Sequence, residues 1–454
     1  MDRPGGSDAE DFPAFDEVLA GRIAGCLEAS GEVSAHGRAA ALGETYAELD
    51  RSGRRRFLAL LATRFGPEPA DVETAARGWL DATSAADRVA AERALRNALA
   101  PPYIRLIRQL STMPNGVKFV VDLRADLMPI ASSTPELGSL DDHLKEILAA
   151  WFDFGMLELQ RITWDSPAAL LEKLIAYEAV HEIRSWDDLR NRLDFDRRCY
   201  ALFHPAMPRE PLAIVQVALV TGTAASVQRL LDETAPLGDP AQADTAIFYS
   251  ISNTQAGLRG ISFGEYLIKR VVTELRRDLP RVATYATLSP IPGFRIWLDA
   301  RLKRTTRGAE ELLLREERAA LAALAATEEG SPLKTLLARR GWSDDPATSA
   351  ALAGPLTRLC ARYFGERRAD GEPIDPVARF HLKNGARLER INWRGDTSRQ
   401  GIRQSLGLMA NYRYDLDRID EIQEAYENDR RVTVSEEVRG LLEASGSDLS
   451  RVSL

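Results

Sequence analysis

The first third of the chain carries apolar residues at the three- and four-residue spacing of an amphipathic helix. Phe15, Val18, Leu19 and Ile23 share one helical face. Similar spacing recurs in residues 57–65, 89–99, 103–110 and 140–152, with proline-containing breaks at residues 101–102, 114–116 and 135. The pattern predicts an all-α helical bundle over residues 1–153, with a role in packing or oligomerisation.

The hydrophobic pattern changes beyond residue 155. Short runs typical of strands appear at residues 156–164, 199–203, 212–220, 246–252 and 282–288, with a helical segment at residues 168–180. The run 246–252, the helix containing Leu267, Ile268 and Val271, and the run 282–288 predict two parallel strands joined by a right-handed crossover. A mixed α/β domain is therefore expected over residues 154–454.

The last third of the chain is mostly helical and charged. A helical insertion is expected around residues 302–370, and one more strand at residues 386–393. The final dozen residues are expected to be frayed.

Composition and charge exclude several classes of protein. The chain has 454 residues, with 59 Lys and Arg against 67 Asp and Glu and a formal net charge of -8. An acidic excess argues against a general nucleic-acid binder, and the longest apolar run, residues 212–220, falls far short of the roughly 18 residues of a membrane span. No targeting signal is evident at the amino terminus, which predicts a cytoplasmic protein.

The cysteines and histidines do not have metal-ligand spacing. Three cysteines, Cys26, Cys199 and Cys360, stand apart from one another and from histidine. This spacing indicates neither a zinc site nor a disulfide framework, and favours three buried or inert thiols.

The densest chemical signal is the loop of residues 253–264, between a predicted strand and a predicted helix. Gly257, Gly260 and Gly264 allow a tight turn and close approach of a ligand, and the start of a helix favours a phosphate. Residues 260–264 also satisfy the GxSxG pattern of a serine-hydrolase elbow with Ser262 as nucleophile. An elbow needs its serine directly at the strand end, but about ten residues separate the predicted strand from Ser262, which disfavours that alternative.

Two further positions are candidates for chemistry. Ser289 followed by Pro290 reads first as a helix start, with Ser289 as the N-cap. The same serine follows a strand of an open α/β sheet, where ligands bind beyond the carboxyl ends of the strands. His381, at a junction between a helical segment and a strand, could face a cleft.

Taken together, these segments resemble the malonyl-CoA decarboxylase family. The matching stretches cover most of residues 155–435, and they are residues 246–254 (AIFYSISNT), 257–272 (GLRGISFGEYLIKRVV), 288–298 (LSPIPGFRIWL), 381–386 (HLKNGA), 391–393 (INW) and 407–414 (GLMANYRY). The resemblance implies an α+β multidomain protein, in which an N-terminal all-α helical bundle precedes a GNAT acetyltransferase-like mixed α/β catalytic domain.

The resemblance also implies roles for individual residues. Ser289 and His381 match the catalytic serine and histidine of the family, and Ser250 and Tyr414 match residues that line the acyl end of the site. The loop that would hold the acyl-CoA pyrophosphate consists of Arg259, Gly260, Ile261, Ser262, Phe263, Gly264 and Glu265. Ser262 replaces the central glycine of the acetyltransferase pattern, and animal members carry glutamate there. Lys269, Arg270, Arg301, Lys303 and Arg304 are candidates for the 3′-phosphate.

The implied activity is conversion of malonyl-CoA to acetyl-CoA and CO2, within fatty acid metabolism. The thioester carbonyl accepts the electrons released with CO2 as an enolate, so neither a metal nor an organic cofactor is expected. Ser289 would position the substrate through its carboxylate or thioester oxygen. His381, with an ordinary pKa of roughly 6.5, would protonate the enolate.

The family also implies a homo-oligomer, dimer or tetramer, assembled through the helical domain. The acidic charge and the short apolar runs predict no nucleic-acid or membrane partner. The chain does not end in the Ser-Lys-Leu peroxisomal signal of some relatives, which agrees with the cytoplasmic expectation. Three alternatives remain open: acyl transfer from CoA to an amine, thioester hydrolysis at Ser262, and a non-enzymatic CoA-sensing scaffold.

Overall fold

The computed structural model describes residues 12–28, 32–261, 263–303, 312–326 and 330–454. The chain divides into two compact units. The first comprises residues 1–158, 203–212 and 253–262, and the second comprises residues 159–202, 213–252 and 263–454. The loop of residues 253–264 is therefore shared between the two units.

The first unit is helical. Its described helices are α1 (Phe12–Glu28), α2 (Glu32–Glu48), α3 (Arg51–Arg64), α4 (Pro69–Asp81), α5 (Ala85–Leu99), α6 (Tyr103–Ser111), α7 (Gly116–Ala131) and α8 (Gly138–Trp151). Leu19, Leu106, Val120 and Leu144 are among the buried apolar residues that form its core. The α4–α5 pair differs, because none of its residues is buried.

The second unit is built on a mixed sheet. Its main strands are β1 (Glu158–Ile162), β2 (Arg197–Phe203), β3 (Ala213–Val220), β4 (Thr245–Asn253), β5 (Thr284–Thr287), β6 (Ser289–Pro290), β7 (Ala386–Asn392) and β8 (Met409–Tyr414). They run in the order β1-β2-β3-β4-β5-β8-β6, and β7 pairs with β8. A separate two-stranded sheet joins β9 (Val432–Thr433) and β10 (Val452–Ser453).

The second unit also contains twelve described α-helices, five of them before residue 304 and seven in the last third of the chain. They are α9 (Ala168–Tyr177), α10 (Trp186–Arg192), α11 (Val227–Leu230), α12 (Gly264–Asp278), α13 (Phe294–Lys303), α14 (Arg315–Ala325), α15 (Pro332–Ala338), α16 (Pro346–Gly365), α17 (Pro376–Lys383), α18 (Arg399–Ser405), α19 (Ile419–Asp429) and α20 (Glu436–Ala444). The predicted fold class, a helical bundle followed by a mixed α/β part, is confirmed.

The predicted strand-helix-strand unit with parallel strands is also confirmed. Strands β4 and β5 are parallel, with Thr245 opposite Thr284 and Phe248 opposite Thr287, and α12 connects them. Ile247, Tyr249, Ala286 and Leu288 contribute to one buried cluster on this part of the sheet. Both strands are buried along nearly their whole length, which fits their continuous apolar runs in the sequence.

Two local predictions are wrong. Ser289 does not begin a helix: Ser289 and Pro290 form the short strand β6, which pairs antiparallel with Ala410 and Met409, and α13 begins only at Phe294. Proline is compatible with a strand of two residues at the end of the sheet order. The final dozen residues are not simply frayed, because Val452 and Ser453 pair in parallel with Val432 and Thr433.

The cysteine prediction is confirmed, since Cys26, Cys199 and Cys360 are free and buried. Burial raises the pKa of the Cys199 and Cys360 thiols, which keeps both in the unreactive protonated form. Among the described helices, none is both long and apolar enough to cross a membrane.

Candidate active site

Ser289, His381 and Tyr414 form a continuous hydrogen-bonded chain in the second unit. The Oγ atom of Ser289 lies 3.0 Å from Nε2 of His381, and Nδ1 of His381 lies 2.8 Å from the hydroxyl oxygen of Tyr414. All three residues are buried. The structure thus brings together the two predicted catalytic residues and one of the two predicted acyl-end residues.

Strand β8 brings together the residues of this hydrogen-bonded chain. Tyr414 is its last residue and pairs with Ala386, the first residue of β7, which follows His381 after a short turn. Ser289 pairs with Ala410 of the same strand. Residues far apart in the sequence are therefore held in one place by main-chain pairing.

Thr287 holds the hydroxyl of Ser289, at one end of the hydrogen-bonded chain. The hydroxyl of Ser289 donates to Oγ1 of Thr287 at 2.9 Å, and the same Oγ1 accepts from the main-chain N–H of Tyr412 at 3.1 Å. Asn411 donates from its side chain to the carbonyl oxygen of Thr287 at 2.6 Å. Thr287 is completely buried, so these bonds are shielded from water.

The heavy-atom distances are compatible with a His381 tautomer that carries its proton on Nε2. In that tautomer the Nε2–H donates to Ser289, whose own hydroxyl donates to Thr287. Burial holds the pKa of Tyr414 well above its ordinary value, so the phenol keeps its proton. In the Nε2–H tautomer the phenol donates to Nδ1, 2.8 Å away.

Burial also sets the charge of His381. The ring is stacked on that of Tyr412, with centroids 4.5 Å apart, and Phe380 lies against it. Removal from water disfavours the imidazolium and lowers the pKa of His381 to about 3. The ordinary value assumed from the sequence does not apply, and the imidazole is neutral at neutral pH.

Ser250 belongs to a different cluster in the second unit. Its hydroxyl donates to the carboxylate of Glu178 at 2.7 and 2.8 Å, and Gln216 donates to the same carboxylate at 2.5 Å. Main-chain N–H groups of Val180 and His181 also donate to this carboxylate, at 2.8 and 3.0 Å. With its proton directed at Glu178, Ser250 is left with acceptor capacity only.

The glycine loop lies against the first unit's helices. A Cβ atom at Gly257 would lie only 1.8 Å from the carbonyl oxygen of Val121, and Gly260 has a φ of +82°. Arg124, itself buried, donates to the carbonyl oxygens of Gly257 and Arg259 at 2.7 and 2.9 Å. Glycine is therefore required at both positions, for close approach at one and for backbone conformation at the other.

The remaining predicted loop residues are placed as follows. Arg259 and Gly260 are exposed, Ile261 is half-buried and Phe263 is buried. Gly264 begins α12, and Glu265 follows it in the same helix. Ser262 lies outside the described residues, so its predicted role stays a prediction.

Several residues near these sites were missed by the sequence analysis. Lys145 of α8 lies beside Gly260, with its Nζ atom 3.6 Å from where a Cβ atom of Gly260 would be. Arg124, Thr287, Tyr412 and Glu178 were also missed. No local motif marks these residues, because their contacts come from distant segments. Arg124 is the exception, since it lies on the buried face of α7, where a charged residue stands out from the apolar pattern; it pairs with Asp141 at 2.9 Å.

Two of the candidate 3′-phosphate cations already have carboxylate partners. Lys269 pairs with Asp420 at 3.2 Å, and Arg301 pairs with Glu366. Arg270 lies over the ring of Tyr266, and Arg304 lies outside the described residues. In the part of the chain that the structure describes, no group of three or more His, Cys, Asp or Glu side chains is arranged to hold a metal ion.

Family models match nearly all of the chain beyond its first 64 residues. The malonyl-CoA decarboxylase N-terminal domain matches residues 65–152, and the malonyl-CoA decarboxylase C-terminal domain matches residues 155–452.

Individual proteins match over similar lengths. The mitochondrial malonyl-CoA decarboxylase of Anser anser anser is 41% identical over 356 residues, which are 77% of this chain and 71% of the relative. The mitochondrial malonyl-CoA decarboxylase of Mus musculus is 37% identical over 405 residues, 87% of this chain and 82% of the relative.

Solved structures agree with these matches. The crystal structure of malonyl-CoA decarboxylase from Rhodopseudomonas palustris has a TM-score of 0.84 and 41% identity, covering 94% of this chain and 99% of that one. The crystal structure of malonyl-CoA decarboxylase from Agrobacterium vitis has a TM-score of 0.83 and 39% identity, covering 93% of this chain and 99% of that one. The chain belongs to the malonyl-CoA decarboxylase family.

Proposed function

We infer that this protein is a carboxy-lyase that converts malonyl-CoA to acetyl-CoA and CO2. The family membership supports this activity, and one observation of the site supports the mechanism: a buried His381, kept neutral by its lowered pKa, has Nε2 3.0 Å from Oγ of Ser289. Loss of CO2 leaves an enolate of the thioester, which needs a proton at its α-carbon. A buried N–H donor beside the substrate-positioning serine is suited to that step.

We propose that His381 acts as the proton donor in its neutral form. A neutral imidazole is a weak acid, but the α-carbon of a thioester enolate is a strong base, so the transfer is downhill. Neutral imidazole is known to serve as an electrophilic catalyst in other enzymes. The hydroxyl of Tyr414, which lies 2.8 Å from Nδ1, then donates to the ring and stabilises the negative charge left on it until solvent restores the proton.

In this proposal Ser289 orients the malonyl group rather than attacking it. Its oxygen accepts from His381 and its proton goes to Thr287 in the free site, so nothing withdraws the proton to create a nucleophile. When substrate enters, the hydroxyl turns from Thr287 to a carboxylate or thioester oxygen. Holding the breaking C–C bond perpendicular to the carbonyl plane is the main contribution expected from such positioning.

The loop of Arg259 to Glu265 is proposed to bind the pyrophosphate of the acyl-CoA. Its support is the glycine-dependent backbone at Gly257 and Gly260, held by Arg124. The exposed Arg259 and Lys145 are proposed to add positive charge to this anion site. Ser250, held by Glu178, is proposed to line the acyl end as an acceptor.

We propose that catalysis needs neither a metal nor an organic cofactor, because the thioester itself accepts the electrons.

We also propose a domain boundary near residue 153. Residues 1–153 would form a helical domain, and residues 154–454 a catalytic domain with an insertion around residues 302–370. A cytoplasmic location is proposed from the sequence, although the curated relatives are named as mitochondrial.

A homo-oligomer, dimer or tetramer, is proposed to form through the helical unit. The α4–α5 pair supports this, because it buries none of its own residues and exposes Trp79, Leu80, Val89 and Leu99. Exposed apolar groups in this density mark interaction surfaces. Sedimentation equilibrium of the parent beside Leu80→Asp tests the proposal: an unchanged assembly state in the variant would remove α4–α5 from the interface.

The test of the activity is incubation of purified protein with malonyl-CoA alone, followed by mass spectrometry. Acetyl-CoA and CO2 are expected. Free CoA and malonate would instead indicate thioester hydrolysis, and unchanged malonyl-CoA would favour either acyl transfer, which needs an amine acceptor, or a scaffold that binds CoA without turnover.

A further inference from the structure

Tyr363 connects the two segments that carry Ser289 and His381. It lies near the end of α16, it is buried, and its hydroxyl donates to Oδ2 of Asp375 at 3.0 Å. Neither Tyr363 nor Asp375 belongs to the hydrogen-bonded chain of Ser289, His381 and Tyr414.

Asp375 is the N-cap of α17, the helix that contains His381. Its Oδ1 atom accepts from the main-chain N–H of Ala378 at 2.8 Å, and the carboxyl is completely buried. A capping carboxylate fixes where a helix begins. In a helix of eight residues, the position of the first turn also fixes the position of His381 in the second.

The same tyrosine hydroxyl touches the segment that follows Ser289. A Cβ atom at Gly293 would lie 2.0 Å from the hydroxyl oxygen of Tyr363, so the hydroxyl occupies the space that any other residue would need there. Gly293 is four residues after Ser289, and the ring of the next residue, Phe294, has its centroid 5.9 Å from that of Tyr363. One hydroxyl group therefore contacts the serine segment and bonds the cap of the histidine helix.

We propose that Tyr363, through Asp375, is a positioning residue that sets the placement of His381 relative to Ser289. The inference rests on the proposed function, in which proton delivery depends on that placement. Displacing a catalytic group by about 1 Å costs up to about a hundredfold in rate. Loss of the Tyr363–Asp375 bond releases the start of α17 from the Ser289 segment, and proton transfer slows while substrate binding through the CoA portion continues.

The experiment compares Tyr363→Phe, Asp375→Ser and the double variant, with kcat, KM and melting temperature measured for each. Serine retains the helix cap but is too short to reach Tyr363, so Asp375→Ser breaks the connection without removing the cap. The control is Tyr200→Phe, which removes another buried tyrosine hydroxyl, one without a hydrogen-bond partner among the described residues.

The proposal predicts that each single variant lowers kcat about tenfold or more, with KM within about twofold of the parent. The kcat of the double variant should be no lower than that of the more impaired single variant, because both substitutions break the same connection. The control should keep the parent kcat. Losses that multiply in the double variant, or a lower melting temperature with parent kcat, would overturn it. Failure of the parent itself to decarboxylate malonyl-CoA would instead count against the proposed function.

Discussion

The Nε2 atom of His381 lies 3.0 Å from the Oγ atom of Ser289, although 92 residues separate them in the chain. Strand β8 accounts for this proximity, since it pairs with β6 on the serine side and with β7 beyond the histidine. The hydrogen bond between the two side chains places the proposed proton donor beside the residue proposed to orient the substrate.

The neutral state of His381 predicts the pH dependence of the reaction. With its pKa lowered to about 3 by burial, the imidazole is neutral throughout the range from about pH 5 to 8. If the neutral form is the donor, kcat/KM for malonyl-CoA should be flat across that range. A dependence on the imidazolium would show as a tenfold fall for each pH unit above the pKa, and an inflection near 6.5 would indicate a solvated histidine.

The same pKa predicts how stability depends on pH. An unfolded histidine titrates near 6.5, whereas His381 in the folded protein titrates near 3. Between these values the unfolded state binds more protons, so the free energy of unfolding falls as pH falls. His381 should account for about 2 kcal/mol of the loss between pH 7 and pH 5.

The matched variant for this measurement is His381→Asn, which cannot titrate in that range. In urea unfolding, the free energy of unfolding should fall less between pH 7 and pH 5 in the variant than in the parent, and the difference should be about 2 kcal/mol. Equal losses in the two proteins would mean that His381 is not held neutral by the fold.

Gly257 is predicted to be essential to the loop. Gly257→Ala places a Cβ atom 1.8 Å from the carbonyl oxygen of Val121, and relieving such a contact costs about 1–3 kcal/mol. The variant should unfold at lower urea and show a raised KM. Gly78→Ala is the control, since nothing lies within 4 Å of its Cβ position in α4; it should be stabilised by up to about 1 kcal/mol. Parent-like stability in Gly257→Ala would contradict the close approach.

Lys145 and Arg259 are predicted to act on binding alone. Lys145→Ala and Arg259→Ala should each raise KM for malonyl-CoA about threefold to tenfold and leave kcat within twofold, because a contact to pyrophosphate is the same in the ground and transition states. Malonyl-pantetheine, which lacks the pyrophosphate, should show no such change.

Lys118→Ala provides the control for this pair, because Lys118 already pairs with Asp122 on α7. An equal rise in KM for both substrates in Lys145→Ala would show that the lysine does not face the pyrophosphate.

Helices and strands with a clear hydrophobic period were predictable from the sequence, and the crossover of β4, α12 and β5 is the best example. Ser289 shows where such reasoning fails: Ser-Pro is a local signal for a helix start, but pairing with Ala410, 121 residues away, places it in a strand. Local sequence does not encode that pairing.

The chemistry of the site was predictable only in part. The resemblance identified Ser289, His381 and Tyr414, and the structure places them in one hydrogen-bonded chain. The neutral state of His381 and the direction of its bonds depend on Thr287, Tyr412 and full burial. These are consequences of tertiary packing, which no spacing of residues along the chain expresses.

His381 is proposed to deliver a proton after CO2 has left. This role is tested by turnover of malonyl-CoA in D2O by the parent and by His381→Asn, with substrate affinity measured separately. We expect acetyl-CoA with one deuterium from the parent, and a loss of turnover of about a hundredfold or more in the variant, with affinity for malonyl-CoA within a few-fold. Parent-like turnover in His381→Asn, or a defect confined to substrate affinity, would contradict it.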